Sequence, residues 1–117
     1  MYLFAQHGIL SIVAHNKKPD MLMVRSVARR DIEHYWPSAK IVRTDDGDYR
    51  FRTRLPRDEV AARIAQAVAA IDYPKVKPAV AKDRKHTYFT VWDTMMSCKM
   101  PEPRFVLEAF RVVAKVP

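Results

Sequence analysis

The sequence predicts an α+β domain in which helices cover one face of an antiparallel sheet. Three observations predict it. The chain has 117 residues, 49% apolar and 29% charged, the profile of one compact domain. Residues 21–71 read in the order strand, helix, strand, strand, helix. Within them Tyr49-Arg50-Phe51-Arg52-Thr53-Arg54-Leu55 places arginine at every second position, as a strand with one face on a core does.

The elements follow in order. Residues 2–14 carry Leu3, Phe4, Ile9, Leu10, Ile12 and Val13 around His7-Gly8, which predicts a hairpin turning near the glycine. Asn16-Lys17-Lys18-Pro19-Asp20 is a turn by composition. Residues 21–27, apolar apart from Arg25 and Ser26, form the next strand. Asp31 opens a short helix through Ile32, Tyr35 and Trp36, which Pro37 stops by disfavouring helical geometry in the residue before it. Residues 40–44 and 49–55 then flank Asp45-Asp46-Gly47-Asp48 as a second hairpin. Pro56-Arg57-Asp58-Glu59 starts a helix, with proline at its beginning and carboxylates where they complement the helix dipole. Val60, Ile64, Val68 and Ile71 are its expected core face, and it ends near Asp72-Tyr73-Pro74. Residues 78–96 contain Tyr88, Phe89, Val91, Trp92, Met95 and Met96 at helical spacing, the pattern of a helix packed on a core. Phe105, Val106, Ala109, Phe110 and Val113 suggest one last helix, with a strand as the fallback.

This order is the split pattern of a ferredoxin-like α+β sandwich, with the amino-terminal hairpin adding strand to the sheet. The expected organisation is a single domain over residues 1–97 and a C-terminal helical extension over 98–117.

Several function classes are set aside by composition. No apolar run approaches the ~18 to 20 residues of a membrane span. The first residues lack the basic leader and long apolar block of a secretory signal. The single cysteine, Cys98, makes no internal disulfide and suits a reducing compartment, so a cytoplasmic location is expected. His7, His15, His34 and His86 lack zinc-site spacing, and Asp45-Asp46-Gly47-Asp48 lacks the closing glutamate of a calcium loop. With glycine only at positions 8 and 47 there is no phosphate-cradling loop. No metal and no cofactor is expected. Asp31, Glu33 and His34 read as a solvated capping turn, Cys98 has no neighbouring base, and Trp92 with Tyr88, Met95 and Met96 reads as core packing. Arg84, Lys85, His86 and Tyr88 leave a small metal-independent ribonuclease as a minor alternative. The chain is otherwise expected not to be an enzyme.

What remains is charge. The net formal charge is +8 with no run of about five or six like charges, so the excess sits on a folded surface and favours an anionic partner. Strand alternation puts Tyr49, Phe51, Thr53 and Leu55 on one side and Arg50, Arg52 and Arg54 on the other. If Thr44 pairs with Tyr49, Val42 faces Phe51 and Arg43 joins the charged side. Arg25 adds to it from the neighbouring strand, and Lys17, Lys18, Arg29 and Arg30 extend it around an edge. Unpaired guanidinium groups are too costly to bury, so this side must be open. Guanidinium forks suit phosphate, although a solvated face balanced by nearby carboxylates shows the same alternation. With Tyr49 and Phe51 turned to the core, binding of nucleic acid would be electrostatic and poorly sequence-specific. An acidic protein surface is the alternative partner, and the oligomeric state is left open.

The stretches Gly8-Ile9-Leu10-Ser11-Ile12-Val13, Leu22-Met23-Val24-Arg25, Asp48-Tyr49-Arg50-Phe51-Arg52, residues 60–71 with Asp72-Tyr73-Pro74, and Arg84-Lys85-His86 leading to Val91-Trp92-Asp93-Thr94-Met95 resemble a family of small uncharacterised proteins of bacteria and their phages. The resemblance spans about residues 1–97 and implies a single small domain of phage or prophage origin; a phage or prophage accessory protein docking on an acidic host protein is the alternative reading of the charge. It implies no activity and no catalytic residue. Lys75-Val76-Lys77 stands where the family tends to have Asn-Phe-Lys.

Overall fold

The computed structural model describes residues 1–72 and 80–98. The chain divides into two compact units, residues 1–81 and 82–117, which are taken separately.

The first unit contains β1 (Tyr2–Ala5), β2 (Gly8–Ala14), β3 (Met21–Ser26), α1 (Arg29–Tyr35), β4 (Val42–Arg43), β5 (Phe51–Pro56) and α2 (Arg57–Ala69). The strands form one antiparallel sheet in the order β1-β2-β3-β5-β4. Leu10, Ile12, Val24 and Leu55 from the sheet meet Ile32, Tyr35 and Trp36 around α1 and Val60 from α2. Leu3, Leu22, Ala39, Ile41 and Phe51 border this cluster. Each such side chain contributes about 1.5–3 kcal/mol when fully buried, so the apolar rows of β2, β3 and β5 fix which face of the sheet looks inward.

Local detail departs from the sequence pattern where packing overrides it. α1 begins at Arg29, two residues before the expected acidic start, and closes with the Trp36 N–H donating to the Ile32 carbonyl at 2.9 Å. A helix of this length is held by burying Ile32 and Tyr35 rather than by propensity. On α2 the inward face is Val60, Ile64 and Ala67, whereas Val68 and Ile71 are exposed. At 3.6 residues per turn position 67 falls almost directly above position 60, while 68 is turned away. Ile71 lies past the helix end.

The β4–β5 connection is longer than the predicted turn. The Thr44 N–H donates to the Arg50 carbonyl at 2.7 Å, and Arg43 and Val42 pair with Phe51 and Arg52. Gly47 bends the connection with φ +91°. Compared with a Thr44–Tyr49 pairing, the partner moves by one residue, and in a strand that exchanges the faces.

Behind the sheet, Asp31 is 2% exposed. Its Oδ2 accepts the Ile9 N–H at 3.0 Å and lies 3.3 Å from the Ser26 hydroxyl, which also reaches the Ile9 carbonyl at 3.0 Å. Of the expected solvated capping turn, Asp31 is thus a buried clamp between α1, β2 and β3, whereas Glu33 is half-buried and His34 exposed. Gly8, at φ +153°, passes so close that a Cβ there would sit 2.6 Å from the Asp31 Cγ.

His34, also on α1, stacks on His7 with ring centroids 3.9 Å apart. Burial first, then the nearby His7 and Arg63 charges, lower its pKa below the ordinary histidine value, against an opposing pull from Asp31. The folded state therefore takes up this proton less readily than the unfolded chain. Its contribution to stability is complete above about pH 6.5 and is lost as pH falls through the lower folded value. Urea midpoints measured between about pH 8 and pH 5 are expected to fall on the acid side, and His34→Gln to flatten that fall.

In the second unit a short turn of 3-10 helix (Lys82–Arg84) leads into α3 (Lys85–Ser97). α3 has no buried residue: Phe89, Trp92, Met95 and Met96 are all exposed. The expected core packing of this helix is not found in the described residues. The Thr90, Thr94 and Ser97 hydroxyls on it donate to carbonyls four residues back. The expected helix through residues 105–113 lies outside the described residues.

Candidate nucleic-acid interface

The strand registers place one row of residues across the whole sheet, on the face opposite the core. Tyr2 pairs with Ser11, Ser11 with Arg25, Arg25 with Arg52, and Arg52 with Val42. The adjacent row carries Val13, Met23 and Arg54. Directly opposed partners share a face, so the β3–β5 register alone brings Arg25, Arg52 and Arg54 together.

Arg25 is half-buried and arranged from two sides. Its Nη2 donates to the Ser11 hydroxyl at 2.8 Å, and its guanidinium carbon lies 4.6 Å from the centre of the Tyr49 ring. Its Nε has no acceptor. Among the described residues no carboxylate pairs with it. Arg52 donates through Nε to the Tyr49 carbonyl at 3.4 Å and stands 4.0 Å from an Asp48 oxygen. At that distance, with Asp48 76% exposed, the contact contributes well under about 1 kcal/mol. Arg54 is exposed and, among the described residues, has no ion-pair partner.

The other sequence candidates are placed differently. Arg43 is corrected: it pairs with Phe51, so it belongs to the opposite face at the sheet edge, 3.6 Å from Asp45. The cause is the longer β4–β5 connection. Arg50 is exposed in the bend before β5. Lys17 and Lys18 are exposed in the connection between β2 and β3, at the end of the sheet nearer Arg54, because that connection leads into Met21, the partner of Pro56. Arg57 steadies the connection from α2 by donating through Nε and Nη2 to the Pro19 carbonyl at 3.2 and 3.0 Å. Arg29 is engaged by Glu33 at 2.6 Å.

Three aromatic residues, Tyr2, Phe4 and Tyr49, lie on this face, which the alternation of residues 49–55 does not predict. Tyr49 precedes β5, so the period-two pattern that assigned it to the core does not reach it. Its ring lies against Arg25. Tyr2 is 74% exposed, and the Tyr49 hydroxyl beside it, by the hydrogen bond the two phenols can share and by its own charge when ionised, raises the Tyr2 pKa above the ordinary phenol value. The available signal was the alternation of Tyr2 and Phe4 against the inward Leu3.

Among the described residues no helix is long and apolar enough to cross a membrane, and no group of three or more histidine, cysteine or acidic residues is placed to hold a metal ion. No protein-family model, curated protein or solved structure matches the chain.

Proposed function

We propose that the chain is a small binding module that engages nucleic acid through the arginine-bearing face of its sheet. The observation that carries this reading is the direct opposition of Arg25 and Arg52, with Arg54 beside them. Like charges directly opposed on a sheet destabilise it, and Asp48 lies only at the limit of an ion pair with Arg52. Phosphate oxygens relieve that repulsion and accept from guanidinium forks. Lys17 and Lys18 continue the positive field along one end. The frame suits a ferredoxin-like reading with an added amino-terminal hairpin, because β5 sits between β3 and β4 as in a split βαβ unit, and β2 flanks β3. A phage or prophage origin and a cytoplasmic setting accord with this role.

The test is fluorescence anisotropy of a labelled oligonucleotide against the full chain, repeated from about 50 to 200 mM salt. Arg52→Gln/Arg54→Gln is expected to weaken binding and to reduce the slope of log K against log salt by roughly one per arginine. Unchanged affinity and slope would overturn the reading. If no oligonucleotide binds at the lowest salt while polyglutamate does, the face serves an acidic protein instead.

A further inference from the structure

We infer that the nucleic acid taken by this face is single-stranded, its bases stacking on a platform made by Tyr2 and Tyr49 while the arginines hold its phosphates. This rests on the proposed function above and narrows it to a substrate class. The two aromatic rings and the guanidinium groups are parts of one surface: Tyr2 and Arg52 lie in the same five-residue row, and Tyr49 touches Arg25. Ser11, at the centre of the row, is 2% exposed. Its hydroxyl accepts from Arg25, so the row is closed and polar at that point, with Tyr2 at one end and Arg52 and Val42 toward the other.

Shape separates a single strand from a duplex. Five strands spaced about 4.8 Å apart make a face roughly 19 Å across, wider than the ~12 Å major groove, which admits a helix or a two-stranded ribbon. Laid on a duplex, this face meets backbone only, and its tyrosines find no base surface. An unpaired strand instead exposes base faces, and every base has one, so stacking on tyrosine tolerates sequence while it discriminates against paired bases. The Arg25 guanidinium resting on the Tyr49 ring holds that ring in place at little entropic cost.

The experiment measures anisotropy of labelled oligo-U, oligo-dT and a blunt duplex of equal length against the full chain, Tyr2→Ala, Tyr2→Phe and Arg52→Gln/Arg54→Gln. Tyr2 is largely solvent-exposed, and thermal melts of each variant check the fold. The expected result is clear preference for the single strands, a roughly five- to 150-fold loss for Tyr2→Ala, and near-native affinity for Tyr2→Phe, which keeps the ring. The two single strands report whether the sugar matters. Equal affinity for duplex and single strand, or a Tyr2→Ala protein that binds single strands normally while the arginine variant does not, overturns the stacking inference and leaves the electrostatic reading standing. Absence of binding to all three oligonucleotides overturns both.

Discussion

Gly8→Ala is expected to destabilise the protein by roughly 2–5 kcal/mol, from a strained backbone and an overpacked contact together. The backbone at Gly8 has φ +153°, and the added Cβ would meet the Asp31 Cγ at 2.6 Å and Cβ at 2.7 Å. Neither atom is the far end of a flexible side chain. Asp31 is itself fixed by the Ile9 N–H and lies against the Ser26 hydroxyl. The substitution must therefore displace α1 from the start of β2 or break the clamp. Urea denaturation should show a lower midpoint. Asp31→Ala in the same chain should not rescue it, because the residue 31 Cβ still stands in the way.

Asp31→Ala alone is expected to cost about 1–3 kcal/mol, since it leaves the Ile9 N–H without its acceptor in a partly buried place. Asp31→Asn should cost less, because one oxygen remains to accept. These two sites lie on the side of the sheet away from Arg25, Arg52 and Arg54. At a temperature where the variants are still folded, oligonucleotide affinity is expected to survive while stability falls. That separates a folding defect from a loss of the interface.

The sheet was largely legible because its strands carry the period of two where a core demands it: Leu10 and Ile12, Leu22 and Val24, Thr53 and Leu55 all turn inward as the alternation requires. The clustering of Arg25, Arg52 and Arg54 followed from the same rule. What alternation cannot supply is the length of a connection. The residues between Thr44 and Arg50 form a longer loop than their Asp/Gly composition suggested, and that single step carried Arg43 to the core side and left Tyr49 free of the strand's parity. Asp31 escapes the sequence pattern for a related reason. A carboxylate at the start of a short helix is ordinarily solvated, and only the close passage of Gly8, distant in sequence, reveals that it is enclosed. Spacing alone places Val68 in the core, whereas the smaller Ala67 packs against it in the structure.

The two-residue β4 has a dynamic consequence. Its ladder to β5 offers very little backbone hydrogen bonding, whereas β3 is flanked along its length by β2 and β5. Amide protons of Val42 and Arg43 should exchange with solvent far sooner than those of Val24 or Leu55, so the molecule opens from that border while the central strands remain closed.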